Sequence, residues 1–438
     1  VPVALRKMIV PAVVSQLIVL IYNMADTFFV GQTNNPYMVA GTSLILPVFN
    51  ITLCLAGLAG IGGGSLIARL LGQAKEQEAR RVSAFSFYLA LGIAALFSVG
   101  IAVFMHPILG LLGAGENTYE YARQYAFCVI VLGGIPTVLS NVLSNLIRSI
   151  GRSREASVGI ILGGLLNIAL DPLFMFVLLP DGYEVLGAGI ATCLGAAISC
   201  LVMLTHFLSP RNTLRLVPVK GWIRQMGRIG VTGFSAFFAD IAMGILTILF
   251  NRQIMHFLGT DALAVYGVLV NVSTLVQCCA YSVGQASQPI LSLNYGARQT
   301  RRILDVLRYA LGTVAVFGVL WVLVLAAFPT EIVRLFMAPT PEVLEVAPGI
   351  LRTYGLSFLL LPFNIFSAYY FQSILRPASA FGISVTRGLV VSGGLILTLP
   401  ALWGGSAIWL AMPLTELVVA LAVAGLMVRS VRQLKGEL

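Results

Sequence analysis

Four acidic residues stand inside stretches otherwise suited to hydrocarbon: Asp26, Asp171, Asp240 and Glu416. Asp26 is the barest case, with no charged residue from Met8 to Ala25 and none from Thr27 to Ala68. A carboxylate near the centre of a membrane helix costs about 2.5–3.5 kcal/mol on insertion scales, so a residue of this kind marks a functional site by default. Tyr22 precedes Asp26 by one helical turn, and Asn167 precedes Asp171 by one, which gives each acid a polar neighbour on its own face. At about 1.5 Å per residue, Asp26 lies roughly 27 Å along a helix starting near Met8. Asp171 lies roughly 14 Å before a helix end at Pro180. Both fall in the outer half of the membrane, and Thr192 returns to a comparable depth on the next helix. Two carboxylates at one depth in a low-dielectric medium resist being ionised together, so the pair can hold a proton. With Asn167, Thr192 and backbone oxygens, the same pair can coordinate a sodium ion instead; a hydrogen-bond cluster joining the first and fifth helices is the structural alternative, one that uncharged Asn or Ser would serve at lower cost. Asp240 and Glu416 sit near mid-membrane in the second half, as candidates for holding a cationic substrate, a second ion or a neighbouring helix. Pro11, which precedes Asp26 in the same apolar run, supplies a bend point in the first helix.

The elements that must position these residues are membrane helices. Of 438 residues 58% are hydrophobic and only 10% charged, with a mean hydropathy of +0.94. A soluble domain carries about a quarter charged residues. The apolar runs reach about 20 residues, the length that crosses roughly 30 Å of hydrocarbon as a helix, and no short-period alternation suggests a barrel. Twelve helices are expected, near 8–33, 38–68, 83–106, 119–144, 157–180, 186–208, 229–255, 261–290, 307–329, 344–372, 379–401 and 406–430. Most Lys and Arg residues, including Lys75, Arg80, Arg152, Arg154, Arg298, Arg302 and Arg432, then fall on one side; Arg123, Arg252, Arg334 and Arg352 fall near the other. The positive-inside rule makes both termini cytoplasmic. The net charge of +10 is therefore topology and not a nucleic-acid footprint. No cleavable signal peptide is legible, and a chain that starts at Val1 reads as a trimmed start.

The two halves repeat in a register that pairs Gly60 with Gly284 and Gly72 with Gly296. "GIGGGSLIARLLGQA" (60–74) aligns with "GQASQPILSLNYGAR" (284–298), and "SIGR" (149–152) aligns with "SILR" (373–376). "GAGI" (187–190) matches "GSAI" (405–408) once a shorter loop in the second half is allowed for. The expected organisation is an N-terminal six-helix bundle over 1–210, a cytoplasmic linker over 211–228 and a C-terminal six-helix bundle over 229–438. Two such bundles around a central cleft suit an alternating-access transporter.

Other chemistries find little support. "GIGGGS" (60–65) lacks the Lys-Ser/Thr of a phosphate loop and reads as close helix packing. The six cysteines all lie in apolar segments, and His106, His206 and His256 do not cluster, so neither a metal site, a disulfide framework nor a catalytic group is expected. No triad or paired-carboxylate arrangement suggests hydrolysis. The chain is expected not to be an enzyme and to need no cofactor beyond a coupling proton or sodium ion.

Three stretches, "YNMADTFFVG" (22–31), "NIALDPLFMF" (167–176) and "SVGQASQPILSLNYGAR" (282–298), make the chain resemble the MATE (multidrug and toxic compound extrusion) family over essentially its whole length, more like its DinF-type, MepA-like bacterial branch than its NorM-type branch. The resemblance implies a multidrug efflux antiporter of the bacterial inner membrane. It would export amphipathic, often cationic compounds in exchange for protons or sodium ions and act as a monomer, with the lipid bilayer, organic small molecules and no nucleic acid as partners. It also implies a first-half cation site on Tyr22, Asp26, Asn141, Asn167, Asp171 and Thr192, sodium falling to Asp26, Asn167, Asp171 and Thr192, with Pro11 as the first-helix proline. Asp240 stands about where the NorM-type branch carries a glutamate. A lipid-linked precursor flippase is the alternative transporter: mid-membrane acids disfavour its anionic headgroup and Arg387 alone favours it. A non-transporting scaffold would leave the buried carboxylates unexplained.

Overall fold

In a computed structural model that describes residues 2–207, 209, 214–219, 221–337 and 339–436, the chain is all-α, with no strand among those residues. Its first half contains α1 (Pro2–Gly31), α2 (Pro36–Gly72), α3 (Glu76–Val103), α4 (Met105–Leu111), α5 (Glu116–Ala126), α6 (Gly134–Ser149), α7 (Ser153–Leu173) and α8 (Glu184–Phe207). Its second contains α9 (Trp222–Phe257), α10 (Thr260–Gly296), α11 (Thr300–Ala327), α12 (Pro329–Phe336), α13 (Pro341–Gly355), α14 (Leu361–Ser373), α15 (Pro377–Val385), α16 (Val391–Trp403) and α17 (Ala411–Gly436). Among the described residues eleven helices, counted with their continuations, are long and apolar enough to cross a membrane; α5 and α6, bent by 46° at their junction, make a twelfth if they form one span. The chain is a multi-pass membrane protein.

Helix ends differ from the expected ones by several residues. The first helix was expected from 8 and starts at Pro2; the fourth was expected at 119–144 and runs from Glu116 to Ser149 with a bend. Hydropathy follows only the hydrocarbon-crossing part of a helix, whereas polar caps set where it starts. Asn35 Oδ1 accepts from Tyr37 N at 3.0 Å with Pro36 in the first turn, and Thr340 Oγ1 accepts from Val343 N at 3.3 Å with Pro341 in the same place. Three wide π turns are also present: Phe127–Leu132 after α5, Phe174–Leu178 after α7, and Thr386–Val390 between α15 and α16. Such turns are rare and gather at functional sites.

The internal repeat is visible in the backbone. In the register that pairs Gly60 with Gly284, both ends of α2 and α3 fall on the ends of α10 and α11, and the start of α4 falls on the start of α12. The left-handed residues that close two helix connections recur likewise: Ala74 (φ 58) with Arg298 (φ 55), and Gly151 (φ 83) with Leu375 (φ 51).

Contacts group the chain into two compact units, Val10–Phe237 and Val1–Ile9 with Phe238–Leu438, so the division falls inside α9. The expected linker precedes it; of that segment, 211–213 and Lys220 lie outside the described residues, as does the side chain of His206. Within the first unit, the glycines of "GIGGGS" do what close packing requires. A Cβ on Gly62 would stand 2.4 Å from the Ile229 carbonyl oxygen, so only glycine lets α9 lie this near to α2; one on Gly60 would stand 3.3 Å from Val142 Cα of α6, a tight fit.

Candidate functional site

Two helix faces build the site in the first unit. On α7, Gly164, Asn167 and Asp171 follow at i, i+3 and i+7 and share one face; on α1, Tyr22 and Asp26 share another. The faces meet at Gly164, where a Cβ would stand 2.8 Å from Ile18 Cγ2 and 3.1 Å from Tyr22 Cδ1. With Tyr22 level with Gly164, one further turn along both helices brings Asp26 alongside the segment between Asn167 and Asp171, and the two carboxylates lie within electrostatic reach of each other. Helix α8 closes another side: a Cβ on Gly195 would stand 3.0 Å from Asn167 Cβ, and Asn167 Nδ2 donates to Thr192 Oγ1 at 3.3 Å. The Thr192 hydroxyl in turn donates to the Ala188 carbonyl at 3.0 Å.

A residue that sequence reasoning did not single out completes the site. The phenol of Tyr125 on α5 donates to Asp26 Oδ2 at 2.7 Å, and the same side chain lies within electrostatic reach of Asp171. Charged neighbours in "ENTYEYARQYA" hid it as an interfacial aromatic. Depth was the available signal: Tyr125 lies roughly 14 Å from the start of α5, matching the depth counted for Asp171. Beyond it, Tyr125, Ile130, Met175, Val185 and Ala188 belong to one apolar cluster that covers the site with hydrocarbon.

The site holds more acceptors than donors. Asp171 is 0% exposed and Asn167 3%. Both Asp171 carboxylate oxygens, Asp26 Oδ1 and Asn167 Oδ1 are buried without a hydrogen-bond partner among the described residues. An unpaired buried acceptor costs about 1–3 kcal/mol and an ionised one more, so the arrangement is satisfied by a proton or by a hard cation that takes oxygen ligands. Pro172, directly after Asp171, removes a backbone donor at the entry to the Phe174–Leu178 π turn.

Not every expected residue joins this group. Asn141 is exposed and its Nδ2 donates back to the Thr137 carbonyl at 3.0 Å, on its own helix α6. Pro11 lies inside α1, which continues unbroken through it. In the second unit, Glu416 on α17 is 0% exposed and fully engaged: Arg387 Nε donates to Oε1 at 2.8 Å and Asn364 Nδ2 donates to Oε2 at 2.6 Å. Asp240 on α9 is exposed and is not part of that bonded group. The two second-half acids therefore have different surroundings, one neutralised by a guanidinium and one open. Arg387, the cation that favoured an anionic headgroup, is itself neutralised.

The MatE family profile matches residues 11–173 and 235–392. The multidrug export protein MepA of Staphylococcus haemolyticus (strain JCSC1435) is 26% identical over 393 residues, covering 89% of this chain and 85% of that protein. The protein of the same name from Staphylococcus aureus (strain MSSA476) is 24% identical over 426 residues, covering 96% and 92%. A solved structure described as the outward-facing conformation of a multidrug resistance MATE family transporter of the MOP superfamily superposes with a TM-score of 0.92 at 22% identity, covering 99% of this chain and 96% of that one. At that identity the likeness speaks for the fold.

Proposed function

The chain belongs to the MatE family, whose members are transport proteins and not enzymes, and from that premise we propose that it is a multidrug efflux antiporter. It exports amphipathic, often cationic organic compounds in exchange for inward movement of a proton or a sodium ion, by alternating access. The reading is supported by the names of its curated relatives and, within its own structure, by one observation above others: four buried acceptor oxygens on Asp26, Asn167 and Asp171 that no protein donor reaches among the described residues. In this scheme Asp26 and Asp171 are the coupling acids. Asn167 and Thr192 add oxygens, Tyr125 holds Asp26 in place, and Tyr22 seats α1 on α7.

Coupling needs ion and substrate to favour opposite conformations; a ligand with equal affinity for both states drives nothing. Uptake of a cation relieves the unpaired acceptors and lets α1 and α7 pack more tightly, with Pro11 as the place where α1 yields. The first-half substrate space contracts and the bound compound leaves outward. Inward opening releases the ion. The expected setting is the bacterial inner membrane, both termini cytoplasmic, with the monomer as the working unit.

A direct test is ethidium accumulation in an efflux-deficient bacterium expressing the protein. Wild type should keep cells dim, and Asp171→Asn at equal membrane abundance should leave them as bright as the empty vector. Full protection by Asp171→Asn would remove Asp171 from the coupling scheme.

A further inference from the structure

At the end of the first unit where α5 and α8 begin, a cavity of about 660 Å³ opens between α5 and the chain that enters α8, a size at which small-molecule ligands are held. Gln124, Tyr121 and the Glu120–Arg123 ion pair line it from α5, and Tyr183 and Leu186 line it from the α8 side. Arg123 Nη2 donates to Glu120 Oε1 at 2.7 Å, and Arg123 Nε donates to Oε2 at 3.0 Å. Gln124 Nε2 donates to the same Oε1 at 3.1 Å. Gln124 Oε1, on a side chain that borders the cavity, is buried with no donor among the described residues. A buried acceptor without a donor is costly, so the cavity suits an occupant that brings N–H or O–H groups. The guanidinium has five N–H donors, and Glu120 engages one on Nε and one on Nη2.

Depth narrows the occupant. Joined to α6, α5 passes as one bent membrane span, and Glu116 to Arg123 is roughly 10 Å along it. Interfacial layers separate a hydrocarbon core of about 30 Å from a full bilayer of about 40–45 Å, so the ion pair stands near the boundary between headgroups and acyl chains. Its two side chains are 50% and 52% exposed, and Tyr121 and Tyr183 beside it are residues that membrane–water interfaces favour. Two turns deeper than Glu120, Phe127 lines the same cavity and is 46% exposed, an apolar surface for a hydrocarbon chain.

We propose that this cavity binds a phospholipid with a primary ammonium headgroup, a phosphatidylethanolamine. The ammonium donates to Gln124 Oε1 and to the Glu120 carboxylate. The phosphate takes N–H groups of Arg123 that Glu120 does not engage, and an acyl chain runs inward over Phe127. A choline headgroup carries no N–H for Gln124, and a glycerol headgroup carries no cation for Glu120, so both are poorer ligands. The bound lipid bridges α5 to the start of α8. One turn beyond Leu186 on α8, a Cβ on Gly189 would stand 3.7 Å from Tyr125 Cδ2, so the bridge lies directly beside the phenol that holds Asp26.

The test is native mass spectrometry of the purified full chain in detergent, with dioleoyl phosphatidylethanolamine, phosphatidylcholine or phosphatidylglycerol supplied at equal concentration. Wild type should bind the first roughly tenfold more tightly than the other two, as one additional charge-assisted hydrogen bond implies. Gln124→Met removes the buried acceptor, and Glu120→Gln with Arg123→Met replaces the ion pair with neutral side chains. Thermal midpoints without added lipid check that both are folded. In each variant the preference should shrink to about twofold or less, since the bonds that set it are gone. Glycerophosphoethanolamine, the headgroup without its chains, should not displace the lipid when supplied at the same concentration. Equal binding of the three lipids by wild type, a preference for phosphatidylglycerol, or a preference that survives in either variant would overturn the site. Displacement by the chain-free headgroup would overturn the lipid assignment in favour of a soluble dipolar solute.

Discussion

Among the described residues no donor reaches either buried carboxylate oxygen of Asp171, and Asp26 beside it has one such oxygen and is held through the other by Tyr125. That imbalance suits the first-half pair to a cation, whereas Glu416, equally buried, is neutralised within the chain by Arg387. Two predictions belong to this scale. Tyr125→Phe removes one charge-assisted hydrogen bond from the group that orients Asp26, a bond that contributes about 1.5–3 kcal/mol; ion-driven ethidium efflux at equal protein abundance should fall about tenfold or more, with a modest fall in the thermal midpoint in detergent. Glu416→Ala strands Arg387 and should destabilise the fold by about 3–5 kcal/mol, read as a lowered midpoint, whereas Arg387→Met with Glu416→Gln should recover most of it. The acids were legible in the sequence because a charge in an apolar run is conspicuous. Tyr125 and Asn364 were not, since a tyrosine or asparagine near a helix end carries no such contrast. The partnership of Arg387 with Glu416 joins consecutive spans, and which faces of the two helices meet is set by the packing of α17.

At the scale of elements, the site depends on how closely α1, α7 and α8 approach. Gly164 sets the first contact and Gly163 with Gly195 the second, where a Cβ on Gly163 would stand 2.6 Å from the Gly195 carbonyl oxygen. Gly164→Val should therefore wedge α1 away from α7 and abolish efflux with every polar residue of the site intact; protein yield and helix content by circular dichroism should change little, because each helix keeps its own hydrogen bonds. Retention of full efflux would show that the spacing of these helices does not matter. The number and order of spans could be read from hydropathy, since each must carry about 20 apolar residues through lipid. The bend between α5 and α6 and the three π turns could not, because they arise from tertiary packing and from Pro172-like interruptions whose outcome depends on the neighbouring helix. Asn141 was placed in the site by the family resemblance alone, and on α6 its Nδ2 donates to its own helix.

The whole molecule is a duplicated design whose two copies have parted at the level of chemistry. Helix boundaries still coincide in the register that pairs Gly60 with Gly284, while the ionisable residues no longer correspond. The repeat was legible from a few aligned glycines because those glycines sit at close helix contacts; Gly60 packs on Asn145, and its mate Gly284 packs on Tyr369, the residue that the same register pairs with Asn145. If both copies keep one orientation, both termini face the cytoplasm, and a C-terminal fluorescent-protein fusion should glow while a C-terminal alkaline phosphatase fusion stays inactive. The reverse result would invert the proposed orientation. The most direct test of the central claim is ethidium efflux from proteoliposomes under a proton gradient alone, a sodium gradient alone, or neither, for wild type, Asp26→Asn and Asp171→Asn. The account predicts export in wild type under one cation gradient, none without a gradient, and none in either variant. Full gradient-driven export in both variants, or no wild-type export under either gradient, would contradict it.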